Sequence, residues 1–268
     1  MPAVSVIIPT KNSASSLPAL LGSLRAQTSS DFEVILVDNS SRDETISIGR
    51  AWGCLIETCG PERSAQRNRG ATLARSNRLL FIDSDMELDP HVISSTIEAL
   101  SEAEAICYQE VPIPSHSYFS RARALERRFY FRSTTFEAAR GFSRAAFEEL
   151  GGYDSRLTGL EDMDIQARTL SKRLRVGWVA SPLYHHEESL TTMEYLRKRW
   201  NYSTRSDTLF KQLHPEYWAR LTSPLLRGRI VLHNLHECGS WKDMTLVPGL
   251  ALNRAIEVAL RYSGSRRP

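Results

Sequence analysis

Three apolar runs stand out in the first ninety residues, and each breaks into polar residues at its C-terminal end. Val4-Ser5-Val6-Ile7-Ile8 gives way to Pro9-Thr10-Lys11-Asn12. Glu33-Val34-Ile35-Leu36-Val37 gives way to Asp38-Asn39-Ser40-Ser41-Arg42-Asp43, and Leu79-Leu80-Phe81-Ile82 to Asp83-Ser84-Asp85. Short runs rich in β-branched residues predict central strands of a sheet covered on both faces. Between the first two, Leu17, Leu20, Leu21 and Leu24 recur at helical spacing, which predicts a helix over 16–27. A second helix is expected over 63–75. The β-α-β-α-β order predicts a doubly wound, mostly parallel α/β sheet with helices on both faces. Its C-terminal edge, where open α/β sheets bind ligands, would gather Thr10, Asp38, Asp83 and Asp85 in one crevice.

The polar closures carry the candidate chemistry. Asp83 and Asp85, one residue apart past a strand end, suit a hard divalent cation and, through it, a diphosphate. The same pair suits a turn, since Asp favours turns and caps. Asp38 can accept hydrogen bonds from a base or ribose, or close an Asx-turn over Asn39-Ser40-Ser41. Thr10 suits a base contact or packing, and Asp43 suits the cap of a helix from Thr45. In the second helix, Arg63, Arg67 and Arg69 fit either a ligand-facing role or a solvated face, and Gly70 suits close helix–sheet contact. Further on, Glu161-Asp162-x-Asp164 opens a helix expected over 161–172, where acids also complement the helix dipole. A strand over 176–180 precedes Tyr184-His185-His186-Glu187-Glu188. Segment 115–144 interleaves Tyr118, Phe119, Phe129, Tyr130 and Phe131 with Arg121, Arg123, Arg127, Arg128 and Arg132. Such a mixture suits an anionic or glycan ligand, a membrane surface or single strands of nucleic acid, and equally an amphipathic helix with a solvated arginine face.

Five of these motifs, in order, resemble the inverting family 2 glycosyltransferases of the GT-A fold. Residues 4–12 are similar to that family's opening strand, 37–43 to its VDDGSxD loop and 66–71 to its ARNxG helix. Residues 81–85 are similar to its Asp-x-Asp, and 151–154 with 159–164 to its GGFD…ED block. The resemblance covers about 4–190 and departs from the pattern at Asn39 and Gln66. It implies a Rossmann-like GT-A catalytic domain over 1–190, with a nucleotide-sugar half to about 110 and an acceptor half after it. It implies donor contacts from Pro9, Thr10, Lys11, Asp38, Arg67, Asp83 and Ser84. It implies Mn²⁺ or Mg²⁺ held by Asp83, Asp85 and a histidine; either histidine fits, with His185 the nearer to the pattern. It assigns Asp162 as the base that takes the acceptor proton, with Glu161 orienting it. Acceptor contacts would come from Arg127, Tyr130, Arg140 and His186. The implied reaction moves a sugar from a UDP- or GDP-linked donor to a glycan, lipid-linked or small-molecule acceptor with inversion.

Composition changes this picture little. The 268 residues are 41% hydrophobic, enough for a sizeable core, and the net charge of +3 does not call for nucleic acid. Only five of the 34 cationic residues are lysine, an arginine excess suited to phosphate and carboxylate recognition. Cys54, Cys59, Cys107 and Cys238 show no paired spacing, and the first strand begins at once. A reducing cytoplasm is therefore expected. No run reaches the ~18 apolar residues that span a bilayer. Residues 191–268 read as a helical extension, with helices over 195–210 and 248–262. The second has a narrow polar stripe of Asn253, Arg254, Glu257 and Arg261 on an otherwise apolar surface. Such a helix needs a partner: the main domain, a second copy, or the inner face of a membrane, with Arg266 and Arg267 assisting. Two rival readings are a sugar-nucleotide nucleotidyltransferase and a nucleotide- or glycan-binding relic of the fold. The first usually opens with a Gly-rich phosphate loop, and residues 9–16 contain no glycine.

Overall fold

The computed structural model describes residues 1–113, 117–186, 206–253 and 255. Residues 195–205 of the helix expected over 195–210, together with Glu187, Glu188, Arg254 and everything from 256 onward, including Arg266 and Arg267, lie outside the described residues. The chain divides into two compact units, Met1–Gln109 with Ala138–His185, and Glu110–Glu137 with His186–Pro268.

The first unit is built on an eight-stranded sheet. Its strands are β1 (Val4–Thr10), β2 (Phe32–Asp38), β3 (Leu55–Thr58), β4 (Arg78–Phe81), β5 (Met86–Leu88), β6 (Ala105–Ile113), β7 (Gly141–Ser143) and β8 (Val176–His186). The order across the sheet is β3-β2-β1-β4-β7-β6-β8-β5. On one side β3, β2, β1 and β4 run parallel, as the three apolar runs predicted. The three-residue β7 then pairs antiparallel with both β4 and β6, and β5 pairs antiparallel with β8. These short or partly polar strands carry little of the apolar signal that marks β1, β2 and β4.

Alternation along β1 shows why its run carries apolar residues on both faces. Val4, Val6 and Ile8 enter one buried cluster with Leu17, Leu20, Leu21 and Leu24 of α1 (Leu17–Arg25) and with Val92 and Ile93 of α4 (Val92–Glu102). Ile7 points the other way. It joins Phe81, Phe142, Phe147 and Ile165 in a second cluster, with Ala71 of α3 (Arg63–Leu73), Leu150 and Tyr153. Each fully buried aliphatic side chain is worth about 1.5–3 kcal/mol, so two faces of the sheet fix its register. Helix α2 (Thr45–Ala51) follows β2, and α6 (Arg144–Glu149) and α7 (Glu161–Ser171) lie between β7 and β8.

In the second unit, α5 (Tyr118–Tyr130) and residues to 137 pack with the helices Pro215–Leu221 and Pro224–His233. Tyr130 stacks on Phe136 at 4.5 Å, and the Arg227 guanidinium lies over both rings at 5.4 and 4.3 Å. The expected last helix is present over 247–253 as far as the described residues reach. Among the described residues, no helix is long and apolar enough to cross a membrane.

Candidate active site

The ends of β1 and β2 meet in register, Thr10 opposite Asp38. Asp38 is fully buried, and its carboxylate accepts from Thr10 Oγ1 at 3.0 Å, Ser41 N at 2.7 Å and Ser41 Oγ at 2.5 Å. It therefore closes the turn through Ser40, whose φ is +50°. Pro9 is buried one residue earlier, and Lys11 is exposed at the lip. Gln66 ties the two strand ends together, donating from Nε2 to Thr10 O at 2.9 Å and Val37 O at 2.6 Å. An alanine could make neither bond, so this departure from the family pattern has a structural role. At the other departure, Asn39 Nδ2 donates to Pro61 O at 2.8 Å. Asp43, on the surface, accepts from Thr45 N at 3.1 Å, as expected of a residue that starts a helix.

Helix α3 runs against β1 and β2, and Gly70 makes the approach possible. A Cβ there would sit 2.4 Å from Ile7 Cγ2 and 3.2 Å from Val37 Cγ2. The same helical face carries Arg63 and Arg67 inward, while Arg69 turns out to pair with Glu57 at 2.8 Å. The three arginines thus split: Arg67 alone is buried, Arg63 reaches Glu161 from a side chain that stays 47% exposed, and Arg69 pairs on the surface.

Arg67 is completely buried and is the hub of the site. Its Nη2 donates to Asp83 Oδ1 at 2.7 Å and its Nη1 to Asp162 Oδ1 at 2.9 Å, with Glu161 Oε1 3.5 Å from Nη1. Its guanidinium carbon lies 5.0 Å from the centre of the Tyr153 ring. One planar fork therefore links the carboxylate after β4 to the carboxylates that open α7. Asp83's other oxygen accepts from Arg140 Nη1 at 3.1 Å. Arg63 Nη2 reaches Glu161 Oε1 at 3.0 Å, and Gly159 N donates to Glu161 Oε2 at 2.5 Å. Asn68 holds the glycine turn before α7, exchanging hydrogen bonds of 2.8 Å with Tyr153 N and O. The turn needs Gly152, whose φ is +71° and whose Cβ would lie 2.7 Å from Asn68 Oδ1.

Charge follows this geometry. Burial alone would push the Asp83 carboxyl up, but Arg67, Arg140 and Arg63 outweigh it and hold it well below the usual carboxylate range. Burial disfavours the Arg67 charge, yet Asp162 and Asp83 more than offset this and raise its value. Glu161 goes the other way. Burial and the adjacent Asp162 raise its carboxyl above the ordinary value, against the pull of Arg63 and Arg67. Asp164, two residues on, is buried and bonded to Arg168 in the next turn.

Asp162 is the more accessible of the α7 acids, its side chain 31% exposed against 2% for Glu161. Asp85 lies further out, 44% exposed, with His185 Nε2 3.2 Å from its Oδ2. That contact comes from the β5–β8 pairing, which sets Met86 opposite His185. Ser84 Oγ lies 2.9 Å from Ser13 Oγ, so the loop after β1 touches the Asp-x-Asp turn. Sequence reasoning did not find Ser13, because a lone serine in a polar loop gives no signal. It found Arg140 only as an acceptor contact.

His186, next in the chain to His185, is the half-buried last residue of β8. Arg127 and Tyr130 belong to the second unit and are engaged within it. Arg127 pairs with Glu110 at 3.0 Å and with Glu137 at 3.5 Å. Tyr130 is buried and donates to Glu126 at 2.7 Å.

The donor set can be tested for a divalent ion. Among the described residues, no group of three or more His, Cys, Asp or Glu is gathered as a cage. Asp85 and His185 do converge on one exposed point. Mg²⁺ and Mn²⁺ usually take only one or two protein ligands and complete their shells with water and substrate phosphate. The residues fit such an ion, and the imidazole nitrogen favours Mn²⁺ over Mg²⁺.

Comparison with known proteins agrees with this fold. The mannosyltransferase PcManGT from Pyrobaculum calidifontis, solved with GDP-Man and Mn²⁺, superposes with a TM-score of 0.64 at 18% identity, over 98% of this chain and 87% of that one. S. aureus TarS 1-349 with UDP-GlcNAc superposes with a TM-score of 0.58 at 15% identity, over 99% and 90%. The fold is thus that of the GT-A glycosyltransferases, with helices after the catalytic sheet. A PGL/p-HBAD biosynthesis glycosyltransferase from Mycobacterium bovis BCG is 33% identical over 181 residues, covering 63% of this chain and 70% of that protein. The family model described as Glycosyl transferase family 2 matches residues 5–151, and the chain belongs to that family.

Proposed function

We propose that this glycosyltransferase moves a sugar from a UDP- or GDP-linked donor to an acceptor hydroxyl or phosphate with inversion, assisted by Mn²⁺ or Mg²⁺. The observation that carries the reading is the buried guanidinium of Arg67, which pairs with Asp83 and Asp162 at once. Asp38 and Thr10, both buried, shape the turn at the donor end, where the base and ribose bind, and Lys11 and Ser84 lie along the route to the diphosphate. Asp162 is the general base. Arg67 fixes one of its oxygens and leaves the other to take the acceptor's proton as the new bond forms. Glu161, buried and raised, is a positioning residue that fills the space behind it. Asp85 and His185 would hold the ion, which would supply positive charge to offset that of the departing nucleoside diphosphate. Asp83, spent on two arginines, orients that turn from behind. Arg140 belongs with it as a positioning residue, in place of the acceptor role expected from sequence.

Calorimetric titration with UDP and GDP, each with and without Mn²⁺, tests this reading on wild type, Asp85→Ala and Asp162→Asn. One nucleotide should bind with metal dependence. Asp85→Ala should lose the metal dependence, and Asp162→Asn should bind normally yet transfer at least about 10²-fold more slowly. Normal turnover by Asp162→Asn would remove it as the base. Absence of binding by a folded wild type to either nucleotide would overturn the donor assignment.

A further inference from the structure

We propose that the second unit carries a docking face for an anionic lipid surface, centred on the helix Pro224–His233. Leu225 and Leu232 of that helix are 82% and 70% exposed. They are seven residues apart and so lie on one side of the helix, with exposed Gly228 and Arg229 between them. The helix buries no residue fully, yet it is firmly tied on its other side. Arg227 donates to Leu221 O at 2.7 Å and to the Tyr130 hydroxyl at 3.0 Å, and Asn234 Nδ2 donates to Phe129 O at 2.9 Å. The following short helix, Trp241–Met244, is held in the same way, Arg128 pairing with Asp243 at 2.9 Å. It nonetheless leaves Trp241 73% and Met244 47% exposed. Fixed backbone carrying bare leucine and tryptophan marks an interaction surface rather than a loose end.

Charge chooses the occupant. Exposed Arg220, Arg229 and Lys242 have no side-chain partner among the described residues; of the acids nearby in the chain, Asp243 is paired with Arg128, Glu237 lies 3.5 Å from His236, and Glu216 is exposed. A second copy of the chain apposed across a two-fold axis would set Arg229 against like charge. An anionic headgroup layer would neutralise these cations, while leucine enters the acyl boundary and tryptophan sits at headgroup depth. With no described helix able to cross a bilayer, such contact is peripheral. This inference does not depend on the donor chemistry proposed above.

Co-sedimentation of the full chain with large unilamellar vesicles tests it, comparing phosphatidylcholine alone with a phosphatidylcholine/phosphatidylglycerol mixture. Wild type should sediment with the anionic vesicles only, and high salt should release it. The double variant Leu225→Glu/Leu232→Glu should lose about tenfold in bound fraction, with its melting temperature and its nucleotide titration unchanged. Failure of wild type to sediment, or equal sedimentation of the variant, would overturn the proposal. So would a clear drop in the variant's melting temperature, which would mean that the chain itself covers this face. A dimer in sedimentation equilibrium that the variant dissociates, with no vesicle binding, would assign the face to self-association instead.

Discussion

Replacing Arg67 by methionine keeps the volume of a long side chain and deletes the charge on which the site is built. Asp83 and Asp162 then lose their 2.7 and 2.9 Å partners, and Glu161 loses a cation at 3.5 Å, all around a side chain only 1% exposed. Removing one partner of a buried ion pair costs about 3–5 kcal/mol, because the other charge stays behind. For a protein of this size that is a fall of roughly 6–20 °C in melting temperature. The cost should also depend on pH. In the wild type, Asp83's lowered carboxyl gives stability that is present above its unfolded value near 3.8 and is lost as pH falls through the still lower folded value. In the variant the same carboxylate lacks its main cation, so protonating it relieves the penalty. Urea unfolding of both proteins at pH 7 and pH 3 should therefore show a gap that is widest at pH 7 and narrows in acid. Arg67→Lys should fall between them, since one ammonium cannot fork to two carboxylates. A gap below about 1 kcal/mol at pH 7, or one that is the same at both pH values, would refute the hub role of this residue.

Three further outcomes follow from the packing. Gly70→Ala puts a Cβ 2.4 Å from Ile7 Cγ2, so it should cost about 1–3 kcal/mol in urea unfolding. An unchanged midpoint would mean that α3 can shift freely off the sheet. Gln66→Ala removes the two bonds joining the ends of β1 and β2, and a loss of about 1–3 kcal/mol is expected, read from the same unfolding curves. The Cys54 thiol is pushed up to about 11 by burial, so its alkylation by iodoacetamide should be slow at pH 8 and rise steeply toward pH 10. Peptide mapping by mass spectrometry measures that profile, and rapid labelling at pH 8 would contradict it.

Much of the fold and of the candidate site was legible in the chain because its signals are local. Continuous apolar runs marked β1, β2 and β4, since strands buried on both faces tolerate few polar residues. Asp38, Asp83 and Asp85 were legible because they close those runs, and the leucine spacing of α1 gave its buried side. Of the antiparallel strands, only β8 was read, and only over 176–180; β5, β6 and β7 escaped notice. β7 has three residues and β5 three, too few for a period to register.

What the tertiary structure alone decided is which charges meet. Nothing in the spacing of Arg63, Arg67 and Arg69 tells which one is buried; the close approach of the helix at Gly70, on the face of Arg67, does. Nothing local joins Arg67 to Asp162, ninety-five positions on, or Arg140 to Asp83, fifty-seven away. The pairing of β5 with β8 sets His185 beside Asp85, and contact density groups residues 110–137 with those after 185. Sequence fixes each strand through the free energy of burying its own side chains. Charges are matched by long-range packing, because a guanidinium can be buried only where the folded chain brings carboxylates to it.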